Sequence, residues 1–323
     1  MVHRSPANRL AEHGKFSDQP GEGRKIRRGR RTSRLNKRAC SCVEDVMPRI
    51  GALRFFLSLL VALPLSLPLL YPHLLRCMLV SRSADFRRLP DRASSHSLYI
   101  RTTVSARQQT QFQAHCRAAQ ARISRFWGGQ QGRAVLIYCP SQTDYARYCA
   151  GGEGAGCSLG TPWGDAYLVL GPEGNNVDVI AHELCHDELF SRLGWWSVKR
   201  QIPQWFNEGL ALLVDYRFSS PDVWERPDST ASPVDTPRMG PFGFRPMIPL
   251  TDLVTTSDFF GGDYGHVMMA YQTAADEVAR WLRRVGQPGL LALTRSVANG
   301  ESFDQAYQRL EKGATRSARP GKR

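Results

Sequence analysis

Acidic side chains are scarce in this chain. Asp and Glu number 29 against 43 Lys and Arg, a formal net charge of +14. The shortage is local. Residues 1–54 hold 14 Lys and Arg but five Asp and Glu, whereas the remainder carries 29 against 24. A basic surface spread over the whole protein, the footprint of a nucleic-acid binder, is therefore not what this sequence offers. Arg27-Arg-Gly-Arg-Arg31 reads as a solvated charge run, so no specific nucleic-acid partner is expected. No internal repeat is evident, which argues against a solenoid. Long apolar runs are few as well. The one long enough to cross a bilayer is residues 55–75, FFLSLLVALPLSLPLLYPHLL, which holds no Asp, Glu, Lys or Arg and one histidine, His73. Histidine is also sparse, at eight in 323 residues.

The apolar run organises the first part of the chain. Arg49 and Arg54 precede it, and the basic segment lies on the same side. By the positive-inside rule the amino terminus stays in the cytoplasm and the rest is exported. Pro64, Pro68 and Pro72 make an imperfect helix, which membrane spans tolerate. No small-residue cleavage site follows, because Arg76 and Arg82 interrupt the region where one would fall. The expectation is a single-pass signal anchor at the cytoplasmic membrane, a cleaved signal peptide or a buried soluble helix being the alternatives, with the rest of the chain periplasmic or extracellular. Residues 1–54 read as a basic segment without regular structure. Met47-Pro-Arg-Ile-Gly-Ala-Leu-Arg54 has the form of a short basic region before such a run, so translation is expected to begin at Met47.

Cysteine usage fits export. Cys139, Cys149 and Cys157 crowd around a glycine-rich stretch, and one disulfide is expected among these three. Their connectivity does not follow from sequence. Further along, residues 83–96 read as a linker and 97–311 as one folded domain, with a basic tail over 312–323. Composition and periodicity predict strands at Ser97–Val104, Ala134–Cys139 and Ala166–Leu170. They predict helices at Gln108–Trp127, Asp144–Cys149, Val177–Leu193, Tyr264–Val285, Pro288–Ala298 and Phe303–Leu310. Seven prolines between Pro221 and Pro249 mark a functional loop or lid.

Three of the scarce histidines and acids form a pattern. His182, Glu183 and His186 make an HExxH in Asp178-Val-Ile-Ala-His-Glu-Leu-Cys-His186. A chance match in a chain with this many histidines is about a one-in-a-hundred event. Residues four apart share a helix face, so both imidazoles can meet one zinc ion. Glu183, one step round the helix, can take a proton from a metal-activated water. Catalytic zinc wants three protein ligands and an open position. Glu208, in Trp205-Phe-Asn-Glu-Gly-Leu-Ala211 on a helix starting after Pro203, is the candidate third ligand. Val179, Ile180, Leu184 and Leu189 predict a largely buried helix, in which a carboxylate needs a partner. Cys185, inside the motif, reads as a small buried helix residue. A sulfur ligand there would close the site to water.

HELCH followed by PQWFNEGLALLVDY resembles the gluzincin zinc metallopeptidases, in particular the bacterial peptidase-MA-like domains. The resemblance covers roughly residues 97–311, and these two segments carry it. It implies an α+β, thermolysin-like zincin: a small mixed sheet and an active-site helix followed by a mostly helical C-terminal part. It implies one Zn2+ per chain on His182, His186 and Glu208, and Glu183 as general base in an endopeptidase that cleaves peptide or protein substrates. It also implies an edge strand that binds the substrate backbone, for which Ala166–Leu170 is the candidate, an interior strand being the alternative. A metzincin would need a third histidine where Arg192 stands. The Gly-Ala-Met-Glu-Asn segment with which aminopeptidases hold a substrate amino terminus is missing. Tyr264, His266 and Tyr271 are candidates for the oxyanion donor, and the resemblance favours Tyr271. Asp178 and Asp215 are candidates to orient a ligand imidazole. The alternative function is a non-catalytic zinc domain that acts as an envelope binding module.

Overall fold

The computed structural model describes residues 71–90, 95–149, 154–220, 222–225 and 247–317. The basic N-terminal segment, residues 55–70 of the apolar run and most of the proline-rich loop lie outside the described residues. Among the described residues no helix is long and apolar enough to cross a membrane.

The fold is α+β. Helix α1 (Pro72–Met78) leads into β1 (Phe86–Leu89), β2 (Ser97–Arg101), α2 (Ala106–Trp127), β3 (Val135–Tyr138), α3 (Gln142–Tyr148), β4 (Gly156–Gly160) and β5 (Ala166–Leu170). Then follow α4 (Val177–Leu193), α5 (Trp195–Gln201), α6 (Gln204–Val214), α7 (Thr256–Phe260), α8 (Tyr264–Ala298) and α9 (Phe303–Ser317). The five strands form one mixed sheet in the order β1-β2-β3-β5-β4. β2, β3 and β5 are parallel, and β1 and β4 pair antiparallel at the two edges.

Both faces of the sheet are covered, and the strands show it by alternation. Leu98, Ile100, Leu136, Tyr138, Leu168 and Leu170 face the main core, which α2 and α4 complete. Ile137, Tyr167 and Val169 face a smaller core with Cys77 of α1 and Tyr145 of α3. Helix α2 starts with a capping box between Ser105 and Gln108 and stops at Gly128, whose φ of 64° is left-handed. Its buried stripe includes Phe112, Cys116, Ala119 and Ile123, as its periodicity requires.

Four expectations need correction. The stretch expected as a linker, 83–96, contains β1, because Phe86 and Leu89 are buried while the backbone between them pairs with β2. Ala166–Leu170 is an interior strand between β3 and β4, not the edge. The edge is Gly156–Gly160, a strand hidden in the sequence by its small residues. The basic tail expected over 312–323 begins as helix, since α9 continues to Ser317. Residues 71–75, the end of the expected span, belong to the folded domain: Leu74 packs in the smaller core and His73 Nδ1 lies 3.1 Å from the Arg147 carbonyl oxygen.

The C-terminal helices hold α6 in place. Phe206 of α6 packs in an aromatic cluster with Trp281, Phe303 and Tyr307, the Trp281 and Tyr307 rings stacked at 4.7 Å. Helix α8 breaks at Gly286 (φ 65°), two residues before Pro288, so it is two helical segments as its sequence implies. There Gln287 Nε2 donates to the carbonyls of Arg125 and Phe126 at the end of α2. Gly209 brings α6 against α8. A Cβ at that position would lie 2.5 Å from Val278 Cγ2 and 2.6 Å from the Ala274 carbonyl oxygen. Gly209→Ala is therefore expected to force the helices apart and lower stability by about 1–3 kcal/mol. Urea unfolding would measure it, and an unchanged midpoint would contradict the packing described.

Candidate metal centre

Two helices build the site. Asn176 caps α4 by accepting from the Asp178 backbone N–H, and Gly194 ends it. Pro203 precedes α6, its fixed φ suited to a helix start. Arg122 of α2 ties the two together. Its Nη1 donates to Asp178 Oδ1 at 2.6 Å, at the start of α4, and to the Val214 carbonyl at 2.7 Å, at the end of α6. The guanidinium also lies over the Tyr216 ring, 3.7 Å from its centre. This tie keeps the helix bearing two histidines in register with the helix bearing Glu208.

His182, His186 and Glu208 meet as the spacing predicts. One ligand atom from each lies within 4.8 Å of the others, and the three can hold a metal ion. The orientation of the rings supports this. His182 Nε2 is 3.5 Å from Glu208 Oε2, and His186 Nε2 is 3.8 Å from Glu208 Oε1. Both Nδ1 atoms point away to backing groups. His186 Nδ1 bonds Asn207 Oδ1 at 3.0 Å, which leaves the Nε2 lone pair facing the centre. His182 Nδ1 faces Asp215 Oδ2 at 3.5 Å, in an alignment short of a formed hydrogen bond. Imidazoles backed by a carboxylate or amide on one nitrogen and converging through the other are the arrangement that metal sites use.

The charges point the same way. Glu183, Glu208 and Asp215 are all buried. Burial raises the cost of ionising Glu208, yet His186 and then His182 outweigh it and hold the carboxyl below its ordinary range. Asp215 also resists ionisation through burial, but its paired bonds from Arg217, at 2.9 and 2.6 Å, and then His182 bring its pKa down to about 2. Burial works against a charged His182, but Asp215, Glu208 and Glu183 overcome it and lift its pKa to about 10. The centre thus carries excess negative charge that only a cation, a proton or a metal ion, can offset.

Glu183 stands beside the ligands under the edge strand. Ser158 Oγ donates to Glu183 Oε2 at 2.5 Å. A Cβ on Gly156 would lie 2.9 Å from Glu183 Oε1, so this residue is glycine because the carboxylate occupies the space. Tyr271 is partly buried among Phe218, Phe259 and Phe260. Burial, then Glu208, Glu183 and Asp215, push its hydroxyl pKa up and keep it protonated. Tyr264 is 81% exposed, and the His266 ring is turned to the Asp258 carbonyl at 2.8 Å. Of the three oxyanion candidates, Tyr271 is the one whose hydroxyl is shifted by Glu208, Glu183 and Asp215. Of the two orienting candidates Asp215 backs a ligand, while Asp178 pairs with Arg122. Cys185 is buried and its thiol pKa is raised, chiefly by burial. The expected disulfide joins Cys149 to Cys157, and Cys139 is free.

Sequence reasoning missed Ser158, Asn207 and Arg122. Asn207 stands beside Glu208 in the motif, but its role depends on the facing helix. Asp215→Asn is expected to weaken metal binding about 10–100-fold by removing the charge behind His182. Competition with a chelator would read this, and unchanged affinity would remove Asp215 from the site. Comparison with protein-family models and with curated proteins finds no match, so the functional reading rests on this geometry.

Proposed function

We propose that the protein is a zinc-dependent peptidase of gluzincin type. The observation that carries the reading is the convergence of both Nε2 atoms on Glu208, with Glu183 alongside and a sheet edge above. Two imidazoles and one carboxylate with an adjacent general base are a donor set suited to catalytic zinc. His182, His186 and Glu208 would hold the ion. When bound, zinc supplies a Lewis acid that polarises the scissile carbonyl and acidifies water.

The chain's own groups supply the rest. Glu183 Oε2 is engaged by Ser158, which leaves Oε1 to accept the proton of the attacking water. The same carboxyl then delivers that proton to the leaving amine. Tyr271, kept protonated by its surroundings, donates to the developing oxyanion. Strand β4 pairs only with β5 among the described residues. Its other edge offers backbone donors and acceptors to an extended peptide, which would lie across the base and the ligands. The apolar run that starts at residue 55 would anchor this unit in the membrane, with the catalytic part outside the cytoplasm.

Glu183→Gln keeps the size and the Ser158 contact but removes the base. It is expected to retain zinc and to cut turnover of fluorescein-labelled casein by at least about a hundredfold. Unchanged turnover would remove Glu183 from the reaction. Stoichiometric metal in a wild-type protein that hydrolyses nothing would favour the binding-module reading instead.

A further inference from the structure

We propose that Ser158 is a positioning residue for Glu183, and that the Cys149–Cys157 disulfide holds Ser158 there. The inference rests on the peptidase reading and adds to it a dependence on the disulfide.

The geometry comes from the alternation of β4. Gly156, Ser158 and Gly160 share one face, and that face is made of small residues because other side chains fill the space. Gly156 lies against both Glu183 Oε1 and its Cγ, and a Cβ on Gly160 would lie 3.1 Å from Trp195 Cδ1. Between them Ser158 places its hydroxyl 2.5 Å from Glu183 Oε2. Cys157 and Leu159 point to the opposite face, into the smaller core with Ile137, Tyr145 and Val169. There Cys157 is bonded to Cys149, the residue that ends α3.

Besides its pairing with β5 and its packing on α4, the disulfide is the covalent tie on this strand. The strand is an edge, with β5 as its sole strand neighbour among the described residues, and its Gly-Cys-Ser-Leu-Gly composition gives it few packing atoms. The disulfide sits one residue from Ser158, on the face of the sheet away from Glu183. It can act on the centre only by keeping the strand, and hence the hydroxyl, over Glu183. A Glu side chain has three rotatable bonds, and a hydrogen bond to one oxygen selects the rotamer that presents the other.

The test uses the full chain, labelled casein as probe and zinc content measured in every sample. Ser158→Ala should lower kcat about tenfold or more, with KM and zinc nearly unchanged, and Ser158→Thr should restore most of it. Reduction by a water-soluble phosphine breaks the Sγ–Sγ bond. The phosphine takes an oxygen atom from water, and the two hydrogens of that water end on the two thiols. Wild-type kcat should then fall by a similar factor, while Ser158→Ala, already displaced, loses little more. Wild-type kcat in Ser158→Ala would overturn the proposal. So would an unchanged wild-type kcat when thiol titration shows Cys149 and Cys157 reduced, or two losses that simply multiply. Zinc-loaded, oxidised wild type without turnover would instead overturn the peptidase reading, and this inference with it.

Discussion

Glu183, Glu208 and Asp215 are buried beside two imidazoles, and the rest of the structure is arranged around that charge. Burying a carboxylate costs several kcal/mol unless a partner compensates. Here Arg217 neutralises part of Asp215, Gln204 donates to Glu208 at 2.8 Å, and Ser158 donates to Glu183. These contacts satisfy oxygen atoms but leave the net charge negative. A cation held by His182, His186 and Glu208 would offset that charge, and its binding would then be linked to the stability of the fold.

Such a cluster has to be held by elements that do not yield. Helix α4 is fixed on the sheet by its apolar face, and α6 is pressed onto α8 at Gly209. Arg122 bridges the start of one helix and the end of the other. A second set of buried charges serves the far half of α4. Glu188 Oε1 accepts the backbone N–H groups of Gln131 and Gly132, and Asp187 accepts that of Ala134. Consecutive acids of one helix thus fasten the loop that leads into β3 on one side of the histidines, while Arg122 of α2 holds Asp178 on the other.

The parts of this account that could be read from sequence are those governed by short periods. The i, i+4 spacing placed His182 and His186 on one face, and α4 spans Val177–Leu193 as its pattern implies. The stripe of α2, the break between Val285 and Pro288, and strand Ala166–Leu170 follow from equally local rules. What was hidden depends on neighbours distant in the chain. Gly156–Gly160 carries no strand signature, because its small residues answer to Glu183 and Trp195 rather than to β propensity. The interior position of β5 follows from that strand. Ser158 and Asn207 acquire their roles only when a sheet edge and a second helix meet α4. Asp178 and Asp215 looked equivalent in sequence, and Arg122 separates them by claiming the first.

The most direct test of the account is the metal content of the purified full chain by mass spectrometry, beside His182→Ala. The account predicts one zinc per wild-type chain and its loss from the variant. Well-folded wild type without stoichiometric metal, or a variant that keeps its full complement, would contradict it.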